Sequence, residues 1–357
     1  MRWSVLIAAG LLGLASFPHG VQAQSFKGKT ITMIVNYAAG GPTDIEGRIV
    51  AQHLPEHIPG NPAIVVKNVG GAGGLIGSNQ LGEAAPNGDT FGFFTLSMND
   101  EILGNSAMRT RYSKFVLIAG VESPLVVYMR KDTPPGINTA TDLMKARDDI
   151  KVLSLNAQST NTLNMALALD LLGIKRQAVP AYRGLKDVET AILQNIGQMA
   201  NSSLSGWSGS VEPTMGHLVI PLWQLSPRAK DGSYPRSRAL PDLQTFEEFY
   251  AKVFPGKKLA GNLPYDALRS FADPQLAMFR VALMPPKAPG EVVNTMRTAF
   301  SKLWENPQLL ADYSRLIKTK PILVSGNDGQ DILAGLGTIK PQIKDYLIDY
   351  VSKITTR

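Results

Sequence analysis

Lys29-Thr-Ile-Thr-Met-Ile-Val-Asn-Tyr37, followed by Ala38-Ala39-Gly40-Gly41-Pro42 and then Asp44, is the stretch that decides the fold. Its Ile- and Val-rich run predicts a buried strand over 29–37. The five residues after it make a turn without a bulky side chain. Asp44 then opens a helical pattern with Ile45, Ile49 and Leu54 on one side. Pro42 and Asp44 suit a first helical turn, where one N–H is dispensable and negative charge is favourable. The same order recurs downstream: a strand over 63–67, the loop Gly70-Gly71-Ala72-Gly73-Gly74, and a helix through Ile76 and Leu81. Asn87-Gly88 makes a turn before a third strand over 90–95. Strands alternating with helices imply a mostly parallel sheet with helices on both faces.

Residues 115–121 and 125–129 read as two more strands, and a second unit begins near Pro124. Thr139 to Asp142 is helix-starting chemistry. A strand over 151–156, a helix over 162–172, a strand over 177–181, a helix over 186–196 and a strand over 198–202 repeat the alternation. Residues 205–275 are rich in Pro, Gly and Ser, and only 245–253 reads as helix. Phe279 to Met284 is apolar and extended. Pro289-Gly290 opens a helix to Trp304, a short helix covers 308–316, and a long final helix reaches Ile354. Pro341 should kink or break that last helix.

The chain has 357 residues, 44% apolar and 18% charged, which is a globular balance with room for two domains. Its first segment reads as an address. Met1-Arg2-Trp3 carries one positive charge, the run from Val5 to Phe17 has none, and Val21-Gln22-Ala23 places small side chains at −3 and −1 of a cleavage site. The run is shorter than the roughly 20 residues a bilayer span needs. The expectation is a signal peptide over 1–23, cleavage after Ala23, and a product exported across the inner membrane into the periplasm. The formal charge of +7 suits either solubility or the steering of an anionic ligand. Nucleic acid is not expected as a partner, given the compartment and the lack of a dense basic run with interleaved aromatics.

Chemistry-bearing motifs are sparse. With no cysteine there is no disulfide framework, thiolate metal site, cysteine nucleophile or lipid-modified N-terminal cysteine. The histidines are His19, His53, His57 and His217. His53 and His57 lie i, i+4 but with Pro55 between them, and no carboxylate pattern supports a metal site. Gly71 and Gly73 fail the dinucleotide fingerprint, because its third glycine position is Ile76. Ser202, Ser203, Ser205 and Ser208 lack the nucleophile-elbow pattern. No metal and no cofactor is expected. What remains is loop chemistry suited to anions. Residues 38–41 and 70–74 each follow a strand and precede a helix, so backbone N–H groups stand near the positive end of a helix dipole. Ligands of open α/β sheets bind outside the carboxyl ends of the strands.

At these residues the sequence resembles the Bug family, the periplasmic substrate-binding receptors of tripartite tricarboxylate transporters. The blocks that carry the resemblance run from Ile34 to Asp44, from Val66 to Gly77 and from Ala85 to Thr90, in the family's order and spacing. Val179-Pro-Ala-Tyr-Arg-Gly184 resembles a further motif with one residue inserted, and Leu240 to Thr245 and the helices from Pro289 also fit. The likeness fades over 205–238 and 250–275.

The resemblance implies an α/β, two-lobed periplasmic binding protein fold of type II, each lobe a mostly parallel sheet flanked by helices. It divides the chain into lobe 1 (24–123 and 280–357) and lobe 2 (124–279), with crossings near Glu122–Pro124 and Phe279–Val281. It also implies a monomeric receptor that is not an enzyme. The receptor captures a small carboxylate between its lobes and delivers it to integral membrane transporter subunits. The family's carboxylate-holding amides transfer to Ala38, Ala39 and Gly40, and to Ala72 and Gly73. Asp44 would bond loop amides or a bridging water, or be a plain helix-end residue. In lobe 2, Ser159, Thr160 and Asn161 stand where the family has a Ser/Gly-rich turn. Arg183 would meet a distal acid group or be a solvated loop arginine. Tyr37 and Tyr182 would wall a planar ligand or simply pack. The alternative is an exported α/β hydrolase of acidic substrates, with a nucleophile among Ser202 to Ser208 and His217 as its nearest histidine.

Overall fold

The computed structural model describes residues 26–146, 148–317, 320–335 and 339–354, so the expected signal peptide lies outside the described residues. Two sheets organise these residues. The first has six strands in the order β11-β4-β10-β3-β1-β2, formed by β1 (Thr30–Val35), β2 (Ala63–Asn68), β3 (Thr90–Thr95), β4 (Val116–Glu122), β10 (Arg280–Met284) and β11 (Ile322–Ser325). The second has five strands in the order β7-β6-β8-β5-β9, formed by β5 (Leu125–Arg130), β6 (Ile150–Ser154), β7 (Arg176–Pro180), β8 (Met199–Ser203) and β9 (Val219–Leu225).

Both sheets are mixed, which corrects the expectation of mostly parallel pairing. β1 pairs in parallel with β2 and β3, but β10 lies antiparallel between β3 and β4, and β11 runs antiparallel to β4. In the second sheet β6 is parallel to β7 and β8, whereas β5 is antiparallel to both β8 and β9. The reversals fall on strands that join the sheets. β4 ends at Glu122 in one sheet and β5 begins at Leu125 in the other. A helix over Leu263–Ala277 leads back to β10.

Local chemistry explains most of the elements. The helix Pro42–His53 starts from an extended Gly41, with Pro at its first position and Asp44 in its first turn. Thr139 with Asp142 and Thr245 with Glu248 form reciprocal capping boxes. Pro341 opens the last helix, Pro341–Ile354, instead of kinking a longer one; a separate helix, Gly326–Gly335, precedes it. The poorly legible region over 205–275 contains a π-helical turn at Trp207–Val211, β9, and the helices Phe246–Val253 and Leu263–Ala277.

One apolar core runs through both sheets. It joins Ile34, Phe94 and Leu117 of the first to Val127 and Trp223 of the second, with Leu163, Phe271 and Leu347 from the helices between. A second core lies under the outer face of the first sheet, around Phe91, Phe93, Met296 and Phe300. At roughly 25 cal/mol per Å² of buried apolar surface, these cores supply the dominant favourable term. They also fix the strand ends that meet between the sheets.

Candidate functional site

The carboxyl ends of β1 and β3 face the amino ends of helices from the second sheet across a cavity of about 80 Å³. Ala38, Ala39, Gly41, Pro42 and Thr43 line one side; Leu155, Asn161 and Gly184 to Asp187 line the other; Phe279 and Arg280 close it where the chain returns. The two sides are in close approach. A Cβ placed on Gly184 would lie 3.7 Å from that of Ala38. Asn99 donates to the Gln158 carbonyl at 2.9 Å and to Thr160 Oγ1 at 3.1 Å, and Asn105 donates to Gln158 Oε1 at 3.2 Å.

Two helix amino ends point at this space. In Pro42–His53 the first N–H to close back is that of Ile45, onto the Gly41 carbonyl at 3.0 Å. The N–H groups of Thr43 and Asp44 therefore lack an intrahelical acceptor, and Pro42 has no N–H. In the helix Leu185–Leu193 both Asp187 and Val188 close onto the Gly184 carbonyl, leaving Leu185 and Lys186 in the same position. Such ends favour anions by their partial positive charge and unspent donors.

Arg280 adds a fixed cation. It is 2% exposed, although it opens a strand of an apolar core. Its Nη1 donates to Thr95 Oγ1 at 2.7 Å, and Nη2 donates to Ser203 at 3.2 Å and Ser205 at 3.3 Å and pairs with Glu46 Oε1 at 2.7 Å. Its guanidinium carbon lies 4.8 Å from the centre of the Phe279 ring. Its Nε–H is buried and has no acceptor among the described residues. An unmet donor on a buried cation carries a desolvation cost. Glu46 also accepts from Ser205 and from the Tyr313 hydroxyl at 2.9 Å. Behind it lies a second, larger cavity of about 680 Å³, bordered by Glu122 to Pro124 and Arg236 to Arg238.

The anticipated residues separate into groups. Tyr37, Ala38, Ala39 and Asn161 line the cavity. Tyr37 also braces the neighbouring loop: its hydroxyl donates to the Gly73 carbonyl at 2.7 Å. Burial pushes the Tyr37 hydroxyl well above its ordinary pKa, helped by Tyr112 and Asp100 and opposed by Arg280, so it remains a donor. Asn161 is held by reciprocal bonds with Asn201. Gly40 departs from expectation because its N–H donates to Asp44 Oδ2 at 2.8 Å and is spent there. Asp44 thus bonds a loop amide. Burial pushes its carboxyl upward, but hydrogen bonds from Arg48, the Gly40 amide and Asn68 outweigh this and hold the pKa below its ordinary 3.8.

Ala72 and Gly73 sit in the short turn before the helix Leu75–Gly82, both at positive φ, beside the cavity and not in its wall. Gly73 packs across the gap against Asn156, whose Nδ2 would lie 2.5 Å from a Cβ at this position. Ser159 caps the helix Thr160–Leu171 by accepting from the Thr162 N–H, and Thr160 takes part in the contact with Asn99. Tyr182 packs half-buried against the apolar cluster that contains Leu155 and Trp207. Arg183 is exposed and outside the cavity wall. The cations that line the cavity are Lys186 and Arg280. The signal of Arg280 in the sequence is a single charge inside the apolar run Phe279 to Met284.

No protein-family model matches this chain. Among curated proteins, it is 29% identical over 194 residues to the UPF0065 protein in the TAR-I ttuE-ttuC' intergenic region of Agrobacterium vitis, covering 52% of this chain and 54% of that one. It is 39% identical over 70 residues to Protein BugT of Bordetella pertussis, covering 20% of this chain and 21% of that one. The matches thus span about half, or less, of the length of these relatives. Among solved structures, the periplasmic binding protein BugD superposes with a TM-score of 0.68 at 20% identity, covering 91% of this chain and 98% of that one. MatC from Rhodopseudomonas palustris, with bound malate, gives 0.63 at 17% identity over 91% and 98%. The fold is that of a two-lobed α/β periplasmic binding protein. Over part of its length the sequence is similar to UPF0065 and Bug proteins, and its fold is similar to that of BugD.

Proposed function

We propose that this protein is a periplasmic solute-binding receptor, not an enzyme, that captures a small carboxylate between its lobes and delivers it to membrane transporter subunits. The observation that carries the proposal is the cavity between the two sheets. Two helix amino ends and the buried, ion-paired Arg280 border this space. The similarity to Bug proteins and the malate bound to MatC support the same reading. We assign lobe 1 to 24–123 and 280–357 and lobe 2 to 124–279. The ligand's carboxylate would meet Ala38, Ala39, Thr43, Asn161 and Arg280. In this reading residues 1–23 are removed on export and the mature protein is a monomer beginning at Gln24.

The hydrolase alternative finds no support. Ser203 and Ser205 are engaged by Arg280, and Ser205 also donates to Glu46, so these hydroxyls are bound into an ion-pair cluster and not to a histidine. The test is thermal melting and calorimetric titration of mature protein against a panel of mono-, di- and tricarboxylates. A ligand at about 100 times its Kd should raise stability by about 2.7 kcal/mol and be recovered unchanged. No shift with any member of the panel, or turnover of the ligand, would overturn the proposal.

A further inference from the structure

We infer that the Thr43 hydroxyl is a donor to the bound ligand, and that Thr95 is the positioning residue that aims it and couples it to Arg280. The inference rests on the receptor reading above and comes from an account of hydrogens. Thr95 closes β3, and buried Asn36 clamps its backbone: the Thr95 N–H donates to Asn36 Oδ1 at 3.1 Å, and Asn36 Nδ2 donates to the Thr95 carbonyl at 3.0 Å. In the antiparallel pairing of β3 with β10, Thr95 stands opposite Arg280. Its hydroxyl oxygen accepts from Arg280 Nη1 at 2.7 Å and lies 2.7 Å from Thr43 Oγ1. Thr43 is in the first turn of the helix Pro42–His53, and both threonines are buried and border the cavity.

A guanidinium can only donate, so the hydrogen between Nη1 and Thr95 Oγ1 comes from Arg280. One hydrogen fits between the two threonine oxygens, yet the two hydroxyls carry one each. The other hydrogen has no acceptor among the described residues. A hydroxyl that accepts from a cation becomes the stronger donor, because bonds in a chain polarise one another. The chain therefore runs from Arg280 through Thr95 to Thr43, and it leaves the Thr43 hydrogen to be spent in the cavity. Beside it stand the N–H groups of Thr43 and Asp44, which have no intrahelical acceptor. A ligand atom at this point must accept, as a carboxylate oxygen does. Arg280 bears on that atom through two hydroxyls. This is how a cation whose Nε–H is buried and whose Nη2 is paired with Glu46 still polarises the site.

The experiment is calorimetric titration of mature protein with malate, glutarate, benzoate and citrate, and then of variants with whichever binds tightest. The variants are Thr43→Val, Thr43→Ser, Thr95→Val and Thr43→Val with Thr95→Val, each checked for folding by circular dichroism. Valine keeps the shape of threonine and replaces the hydroxyl by a methyl group. Thr43→Val should weaken binding by about 10- to 100-fold, and Thr43→Ser, which keeps the donor, should bind within about threefold of the parent. Thr95→Val should weaken binding by about fivefold or more. The double variant should bind about as Thr43→Val does, since without a hydroxyl at 43 nothing is left to aim. Parent affinity in Thr43→Val would overturn the inference and leave the receptor reading standing. Losses that multiply in the double variant would overturn the positioning role of Thr95, because a merely structural Thr95 acts regardless of Thr43. If Thr95→Val does not fold, Thr95→Ala takes its place in the cycle, and Thr43→Val against Thr43→Ser decides the donor in either case. A parent that binds none of these four or any carboxylate of the wider panel would overturn both readings.

Discussion

Arg280 Nη2 stands 2.7 Å from Glu46 Oε1, both side chains almost wholly buried, at the point where the returning chain enters the first sheet. The pair is tied to β8 through Ser203, to the turn after it through Ser205, and to the helix Pro307–Ile317 through Tyr313. It links the cavity between the sheets, which Arg280 lines, to the cavity behind it, which Glu46 lines. A buried charge pair of this kind is costly to break from one side, because the surviving partner is left uncompensated.

Arg280→Ala or Glu46→Ala should each lower unfolding free energy by about 3–5 kcal/mol, whereas the double replacement Glu46→Ala with Arg280→Ala should cost less than the sum. Urea denaturation of the four proteins measures this as a double-mutant cycle. Additive losses would mean the pair does not act as a unit.

Arg183→Ala should leave both ligand affinity and stability within about 0.5 kcal/mol of the parent, as for an exposed side chain away from the site. Titration with the tightest carboxylate from the panel tests it. A selective loss of dicarboxylate binding would return Arg183 to the site and remove the basis for assigning the cation role to Arg280.

The βα units were legible because each strand is a short apolar run stopped by Gly or Pro and followed by helical spacing; β1 and the helix after Pro42 are examples. β9 was not legible. Its run Val-Ile-Pro-Leu-Trp-Gln-Leu contains Pro221, which the sheet accepts because β9 is an edge strand and its register with β5 shifts at that point. The helix Leu263–Ala277 was masked in the same way by Pro264 at its start and Pro274 in its last turns. At the site, the glycine loops could be read from local pattern, and the cavity-lining Ala38, Ala39 and Asn161 from the resemblance. The role of Arg280 could not, since it depends on Glu46, Thr95 and Ser205 brought together only by the tertiary fold.

Acid should test the loop before the first helix. The Asp44 carboxyl has a folded pKa below 3.8, so it stabilises the fold above that value and loses the contribution as pH falls through the folded pKa. Asp44→Asn should be less stable than the parent at pH 7, and the gap should close under strongly acidic conditions. Thermal melts from pH 7 to pH 2 follow the difference. A gap that stays constant with pH would mean that the carboxylate's charge is not what the loop uses.

Gly73 is the position of the second glycine loop that meets the other side of the cavity. Its φ of +66 disfavours any β-branched residue, and its Cα faces Asn156 of the other sheet. Gly73→Val should therefore act twice. The backbone strain should lower stability by about 1–3 kcal/mol. The side chain should also push Asn156 away and hold the lobes apart, weakening ligand binding in protein that remains folded. Gly73→Ala keeps most of the backbone strain and still collides with Asn156, while Gly73→Ala with Asn156→Gly keeps the strain and removes the collision. Affinity should drop in the single variant and recover in part in the double one, with stability low in both. Titration separates the effects from melting. If Gly73→Val lowers stability and leaves affinity intact, Gly73 serves only its own turn, and the close approach to Asn156 has no part in closing the site.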